Sequence, residues 1–307
     1  MSEELVTEVI RQPTTRGTVS AADWGRLLRP RQWTKNLVVF AGLLFTGSFR
    51  HPDAVGEAGL AFVIFCLLSS TGYLLNDVID AEQDRRHPVK STRPIAAGRI
   101  RPATAVIVAI LLASSALVDA LLLDRIFALI ALAYLAVTLT YTLYWKHQVI
   151  LDLLAITAGF LLRAVAGAVV LHVEISPWLL VCVSLLALLL GLGKRRFELA
   201  LLADDAHHHR PVLADYSRPF LDQAMTIVAS SAAVTYAVYA ISSRTAVNHP
   251  ALVLTAPLVF YCVLRYIYLV FHHEQGGQPE EMLLSDRPLY IAILLWGTMV
   301  IGIFIWF

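Results

Sequence analysis

The sequence predicts an all-α polytopic membrane protein with nine transmembrane helices, and two observations carry this prediction. The first is composition, since 58% of the 307 residues are hydrophobic, only 15% are charged and the mean hydropathy is +0.67. Soluble domains carry about 25% charged residues, so most of this chain must lie in lipid. The second is a succession of apolar runs of roughly 20 residues, the length that a helix needs to cross a bilayer core.

The apolar runs are separated by breaks with turn residues, as at Arg50–Asp53, Ser176-Pro177 and Asn248–Pro250. The first run begins with the polar residues Lys35 and Asn36. We divide the chain into a cytosolic tail, 1–30, with an interfacial helix near Trp24 to Arg29, and a nine-helix transmembrane domain, 31–307. The predicted spans are 33–49, 58–80, 103–123, 126–145, 149–171, 177–194, 219–242, 250–271 and 288–307.

The distribution of basic residues predicts the orientation of the chain in its membrane. Of the 24 Lys and Arg residues, 20 fall in segments that lie inside if the N-terminus is cytosolic. The opposite loops contain Arg50, Arg125 and Arg244, and Arg163 lies within a span. Because cytoplasmic loops carry the excess of basic residues, we expect the N-terminus inside and the C-terminus outside. The polar motifs then all face the cytosol.

Several function classes are disfavoured by the same survey. A net charge of +1 argues against a nucleic-acid partner. A transporter would carry charges along the membrane normal, whereas here they gather at one face. The three cysteines, Cys66, Cys182 and Cys262, stand alone inside apolar runs, so we expect buried thiols without disulfides or metal.

A stripe of acidic residues closes the second span. On a helix, Asn76, Asp80 and Asp84 recur every four residues along one face, with Asp77 beside them. Carboxylate and amide oxygens are ligands that suit Mg²⁺ bridged to a phosphate. The alternative is a solvated helix end with ordinary charges. We favour a metal–phosphate site, with the basic residues up to Arg93 holding the phosphate.

A second polar group ends the sixth span. Lys194 and Glu198 are one helical turn apart, with Arg195 and Arg196 beside them. Membrane anchoring by basic residues explains the arginines equally well, and Glu198 less well. A sugar hydroxyl held by the Lys194–Glu198 pair is the competing interpretation.

Three further polar features remain open at this stage. The His207–His209 tract is more typical of a solvated loop than of a metal site. Tyr216 could donate to a phosphate or anchor the chain at the membrane interface. Arg163 lies about 20 Å along the fifth span, and its role is open.

These motifs together resemble the UbiA superfamily of intramembrane prenyltransferases over essentially the whole chain. The similarity rests on Asn-Asp-x-x-Asp-x-x-x-Asp at 76–84, Arg-Pro-x-x-Trp-x-Lys-Asn at 29–36 and Tyr-Thr-x-x-x-Lys at 141–146. Where family members carry a second aspartate motif, this chain has Gly-Lys-Arg-Arg-Phe-Glu at 193–198. That sequence, with Arg-Pro-Ile-Ala-Ala-Gly at 93–98, is similar to the decaprenyl-phosphate phosphoribosyltransferase subgroup of actinobacteria.

The resemblance implies a UbiA-type bundle around a cavity with a cytosolic active site. The reaction implied is Mg²⁺-dependent transfer of 5-phosphoribosyl from phosphoribosyl pyrophosphate (PRPP) to decaprenyl phosphate for cell-wall arabinan, with Mn²⁺ as a substitute metal. The alternative is a prenyl diphosphate donor with an aromatic or haem acceptor. The partners that the resemblance implies are PRPP, decaprenyl phosphate and the bilayer of a bacterial plasma membrane, with a homo-oligomer left open.

The site residues implied are grouped by role. The catalytic residues are Asp77, Asp80 and Asp84; the metal ligands are Asn76, Asp80 and Asp84; the PRPP-binding residues are Asn76, Asp77, Arg85, Lys90, Arg93, Lys194, Arg195, Glu198 and Tyr216; and the lipid-phosphate-binding residues are Lys35, Asn36 and Lys146.

Overall fold

The computed structural model describes residues 19–86, 90–174, 176–201, 211–273, 276–277, 282–283 and 285–306, and these ranges contain no strand. The predicted all-α class is therefore confirmed. The α-helices are α1 (Ala21–Leu28), α2 (Ala41–Phe45), α3 (Pro52–Ile79), α4 (Ala81–Arg86), α5 (Pro102–Leu123), α6 (Arg125–Leu143), α7 (Leu151–Val170), α8 (Pro177–Leu201), α9 (Arg218–Ser242), α10 (Arg244–Asn248), α11 (Ala256–His272) and α12 (Arg287–Trp306). The 3₁₀ helices are Pro30–Phe40, Ser48–Arg50, Lys90–Thr92, Trp145–His147, Pro211–Asp215 and Pro250–Thr255.

Eight helices in the described ranges are long and apolar enough to cross a membrane. They correspond to the second through ninth predicted spans, and the chain is a multi-span membrane protein. The count of nine is not confirmed, because the first predicted span, 33–49, is not one long α-helix. It consists of the 3₁₀ helix Pro30–Phe40, named here the first 3₁₀ helix, followed by the five-residue α2.

The helices begin where local chemistry supplies a cap. Asp124 accepts a hydrogen bond from the Phe127 N–H at 2.7 Å at the start of α6, and Ser217 caps α9 in the same way. Pro52 and Pro102 open α3 and α5, where a missing N–H costs no helical hydrogen bond. These caps satisfy backbone groups that lipid could not.

The long helices bury two main apolar clusters, and α7 contributes to both. One cluster joins α3, α5, α6 and α7 around Phe65 and Phe127. The other joins α7, α8, α9 and α11 around Leu189, Leu221 and Val270. The central helix α7 therefore connects the two halves of the bundle.

Large apolar side chains also cover the outside of the bundle. Leu111 and Leu122 on α5 and Leu129 on α6 are each more than half exposed. Such a surface suits lipid contact, because the hydrocarbon core solvates apolar groups.

The part of the predicted tail that the structure describes is ordered by polar contacts. Helix α1 has a capping box, in which Ser20 and Asp23 each bond the other's backbone N–H. Asp23 also accepts from Arg99 Nε at 2.9 Å, and Leu27 is buried. Its hydrogen bonds from Ser20 and Arg99 hold the pKa of Asp23 below its usual value. The helix expected near Trp24 thus runs from Ala21 to Leu28.

Candidate active site

The acidic stripe of Asn76, Asp80 and Asp84 continues across the boundary between α3 and α4. Asp80 ends the helix, yet its N–H still bonds the Asn76 carbonyl at 2.9 Å, and the Asp84 N–H bonds the Asp80 carbonyl at 2.8 Å. The four-residue spacing therefore continues from α3 into α4. Asp77 and Asp84 are buried, and Asn76 and Asp80 are partly buried.

Each carboxylate of the stripe is paired with a cation from elsewhere in the chain. Asp77 Oδ1 accepts hydrogen bonds from Arg29 Nη2 at 2.6 Å and from Arg93 Nη1 at 3.0 Å. Arg93 Nη1 also lies 2.7 Å from Asp84 Oδ2. These four residues, Arg29, Asp77, Arg93 and Asp84, form a network in which the Arg93 guanidinium bridges two carboxylates.

Lys146 completes the network from the connection between α6 and α7. Its Nζ lies 2.6 Å from Asp80 Oδ1, and the lysine side chain is only 10% exposed. We name Asp77, Asp80, Asp84, Arg29, Arg93 and Lys146 the acidic cluster. It holds three carboxylates and three cations, so its formal charge is balanced.

The oxygen ligands at the acidic cluster are of the type that a hard divalent cation prefers, but their positions do not form a ready-made metal site. Carboxylate and amide oxygens from Asn76, Asp80 and Asp84 are ligands that Mg²⁺ accepts. Within the described residues, however, no three His, Cys, Asp or Glu side chains are placed to hold a metal ion together. The carboxylates are engaged with cations, so binding of a metal requires these ion pairs to rearrange.

A second polar group lies beside the start of α7, and we name it the buried tetrad: Asp152, Arg195, Glu198 and Tyr216. Asp152 is fully buried, with Oδ2 at 2.6 Å from Arg195 Nε and Oδ1 at 2.8 Å from the Tyr216 hydroxyl, which donates. Arg195 Nη1 also donates to Glu198 Oε2 at 2.7 Å. The Asp152 carboxylate thus uses both oxygens to hold α8 and the Tyr216 segment.

The Tyr216 hydroxyl also fixes a strained residue. It accepts from the Ile150 N–H at 2.7 Å, and Ile150 has φ of +69°, which β-branched residues rarely adopt. Burial and the neighbouring Asp152 carboxylate raise the pKa of Tyr216, so the hydroxyl keeps its proton and donates. Since Lys146 is four residues before Ile150, this short connection joins the tetrad to the acidic cluster.

The structure brings most of the predicted site residues to one end of the bundle. Lys194 lies partly buried beside the tetrad at the end of α8. Arg85 is exposed and donates to the Ala96 carbonyl at 3.3 Å, close to the segment that carries Arg93 and the partly buried Lys90. The 29–36, 76–93 and 141–146 motifs thus contact one another, and Ile150 and Tyr216 link them to Arg195 of the 193–198 motif.

Three residues differ from the roles first considered. Asn36 is fully buried, and its amide oxygen accepts from Arg163 Nε at 2.7 Å, because the first 3₁₀ helix turns it toward α7. Tyr216 is bonded to Asp152 and is buried, so it is not an interface anchor. Arg195 is 1% exposed and faces carboxylates.

Two site residues were absent from the sequence-based set. Arg29 had a signal, since it opens the Arg-Pro-x-x-Trp-x-Lys-Asn motif. Asp152 had a weaker one, an acidic residue inside an apolar run. The His207–His209 tract lies outside the described residues, as does His87.

Comparison with known proteins places this geometry in a family. The family model described as "UbiA prenyltransferase family" matches residues 36–286. The chain belongs to that family. The resemblance inferred from the 76–84 and 29–36 motifs is thereby confirmed.

Curated relatives and solved structures agree with this family assignment. Decaprenyl-phosphate phosphoribosyltransferase of Mycolicibacterium smegmatis is 37% identical, over 92% of this chain and 92% of that relative. Its counterpart from Mycobacterium tuberculosis is 34% identical over 96% of both chains. A UbiA homologue from Archaeoglobus fulgidus, solved with GPP and Mg²⁺, has a TM-score of 0.70 at 17% identity and covers 92% of this chain and 99% of its own. The predicted similarity to the phosphoribosyltransferase subgroup is also confirmed.

Proposed function

We propose that this UbiA protein transfers the 5-phosphoribosyl group of PRPP to decaprenyl phosphate and releases pyrophosphate. The observation that carries the proposal is the buried tetrad. Two of its residues, Arg195 and Glu198, lie in the last turns of α8, where UbiA members that use prenyl diphosphates carry a second aspartate motif. Here Asp152 and Arg195 neutralise each other, so the described residues of this half of the site offer no second metal-holding cluster of carboxylates. The similarity to proteins named decaprenyl-phosphate phosphoribosyltransferase supports the same donor.

The charge balance of the acidic cluster supports a metal partner for a polyanionic donor. Three carboxylates beside three cations give little net attraction for a diphosphate. Asn76, Asp80 and Asp84 would hold Mg²⁺, and the bound metal would supply positive charge to neutralise the leaving pyrophosphate. Mn²⁺ has the same preference for oxygen ligands and is expected to substitute.

The chain's own cations then position the phosphates. Arg93 and Arg29 belong to the acidic cluster, and Arg85 and Lys90 lie on the segment next to it. Guanidinium groups hold phosphate oxygens in a fixed geometry through paired hydrogen bonds. Lys194, next to the tetrad, would hold the ribose 5-phosphate.

The acceptor needs positive charge and access from the bilayer, but no strong base. Lys35 on the first 3₁₀ helix and Lys146 are assigned to the lipid phosphate, while Asn36 is assigned a structural role. A lipid phosphate oxygen is anionic at neutral pH and attacks C1 of the ribose. The C1–O bond to pyrophosphate breaks, and pyrophosphate leaves with the electron pair. Positioning and leaving-group stabilisation supply the catalysis.

The location of the reaction follows from charge asymmetry. Because the acidic cluster, the tetrad and most Lys and Arg residues belong to the same end of the bundle, we assign that end to the cytosol. PRPP would then arrive from water and decaprenyl phosphate from the membrane.

A donor-choice experiment tests the proposal. Purified protein in detergent receives Mg²⁺ and decaprenyl phosphate with ribose-labelled PRPP, and a parallel sample receives labelled geranylgeranyl diphosphate with an aromatic acceptor. We expect labelled decaprenyl-phosphoryl phosphoribose in the first sample only, and none with Asp84→Asn. Transfer of the prenyl group without transfer of ribose would contradict the proposal and favour the prenyl diphosphate alternative.

A further inference from the structure

The first 3₁₀ helix is unusually long for its type and is held from outside. It spans 11 residues, from Pro30 to Phe40, whereas 3₁₀ runs rarely exceed three or four residues because their hydrogen bonds are poorly aligned. A segment of this kind keeps its shape only if neighbouring elements fix it. The contacts of Asn36 and Val39 show which elements do so.

Arg163 on α7 makes a buried polar contact with this helix. Its Nε donates to Asn36 Oδ1 at 2.7 Å, and its Nη2 donates to the Tyr134 hydroxyl on α6 at 2.7 Å. The guanidinium also lies 4.6 Å from the centre of the Tyr134 ring. Among the described residues, the hydrogen-bond partners of Arg163 are neutral, so the arginine is stabilised by dipoles and aromatic faces.

Asn36 carries the contact on to α3. Its amide nitrogen donates to Ser69 Oγ at 3.3 Å and lies 3.2 Å from Cys66 Sγ, and the residue is fully buried. The Arg163–Asn36 pair therefore ties together the first 3₁₀ helix, α3, α6 and α7. These are the elements from which the acidic cluster and its lysine extend.

A second contact, one helical turn away on α7, fixes the same helix sterically. A Cβ added to Gly167 would lie 1.8 Å from the Val39 carbonyl oxygen, so only glycine permits this approach. Gly167 and Arg163 are four residues apart on α7, and Val39 and Asn36 are three apart on the first 3₁₀ helix. Two neighbouring points on one helix thus hold two neighbouring points on the other.

We propose that Arg163 is a positioning residue, which acts through Asn36 to set the place of the first 3₁₀ helix and hence of Arg29 and Lys35. Arg29 immediately precedes that helix and bonds Asp77 at 2.6 Å, while Lys35 adjoins Asn36. An arginine inside a membrane span is energetically costly, and a positioning role accounts for its presence there. The predicted kinetic effect rests on the proposed function, whereas the structural effect does not.

The test combines amide hydrogen exchange with kinetics on the full-length protein in detergent. Arg163→Met and Asn36→Ala should each speed exchange in the peptide covering Pro30–Phe40, and the double variant should add little. Exchange in α11 should stay at the wild-type rate. The matched control is Arg244→Met, the same replacement at an exposed arginine at the opposite end of the bundle, and it should change neither peptide.

The kinetic readout separates positioning from general stability. We expect the KM for PRPP to rise by roughly tenfold to a hundredfold in Arg163→Met, with a smaller change in kcat, because a displaced Arg29 weakens donor binding. Arg163→Lys, which can still reach Asn36, should recover part of the loss. If Arg163→Met does not fold, Asn36→Ala tests the same contact.

Two results would overturn the proposal. One is unchanged exchange in Pro30–Phe40 in both single variants. The other is an equal rise throughout the bundle, which would give Arg163 a global folding role. A local rise in exchange without any PRPP activity in the wild type would support the positioning contact and reject the proposed function.

Discussion

Removal of the Asp152 carboxylate should destabilise the protein through Arg195. Asp152 is fully buried, Arg195 is 1% exposed, and their atoms are 2.6 Å apart. Removing one partner of a buried ion pair costs about 3–5 kcal/mol, because the other charge loses its compensation. Glu198 also pairs with Arg195, and its side chain is 22% exposed, so the arginine keeps part of its compensation when Asp152 is removed. We therefore expect the cost of Asp152→Ala to fall near the lower end of that range.

Thermal unfolding in detergent measures this loss. A destabilisation of about 3 kcal/mol corresponds to a fall in Tm of roughly 5 °C for a chain of this size. Glu174→Ala is the control, since Glu174 pairs with Arg244 at a site where both side chains are largely exposed. An exposed pair contributes about 0–1 kcal/mol, so the control should unfold close to the wild type.

The double variant Asp152→Leu with Arg195→Met distinguishes stability from function. Replacing both charges by apolar side chains removes the uncompensated guanidinium, so much of the lost Tm should return. Activity should not return, because the segment that joins the tetrad to Lys146 loses its anchor. A Tm for Asp152→Ala within 1 °C of the wild type would refute this account of the tetrad.

Further predictions concern the acidic cluster, the metal and the far end of the chain. Lys146→Gln should lower kcat/KM for decaprenyl phosphate by roughly tenfold or more, and Lys146→Arg should keep part of the activity. Equal kinetics in all three proteins would contradict the assignment of Lys146 to the lipid phosphate. Asp84→Asn should abolish transfer while Tm in detergent stays within a few degrees, so normal turnover would exclude its metal role. Exhaustive chelation should abolish activity and Mg²⁺ should restore it, with reducing agents having no effect because the three cysteines are free thiols. Arg265 donates to Asp286 and holds the pKa of that carboxyl below its usual value, so the pair stabilises the fold above about pH 4 and stops doing so as the pH falls through the lower folded-state pKa. Asp286→Asn should therefore remove this dependence of Tm on acid pH. An unchanged profile of Tm against pH would count against the pair.

The long spans could be predicted from sequence because each is a local property of about 20 residues. The stripe of Asn76, Asp80 and Asp84 could be predicted for the same reason, since helical spacing alone aligns it. The first span was not a regular α-helix, because tertiary contacts at Asn36 and Gly167 hold the chain in a 3₁₀ form. Those contacts join residues more than 120 positions apart.

The pairing of charges was beyond the sequence for a related reason. Arg29 meets Asp77 across 48 residues, and Arg195 meets Asp152 across 43. Counting Lys and Arg predicts the side of the membrane on which they lie, but not the carboxylate that each one meets. Asp152 was missed because a single acidic residue in an apolar run gives no hint of its partners.

Calorimetric titration of PRPP into the purified protein tests the central claim most directly. The account predicts saturable binding that requires Mg²⁺ and is lost in Asp80→Asn. In Lys194→Glu, binding should weaken by about 1.5–3 kcal/mol, typical of a charge-assisted hydrogen bond, while decaprenyl phosphate binding changes little. Binding of geranylgeranyl diphosphate at the same site without any binding of PRPP would contradict the claim.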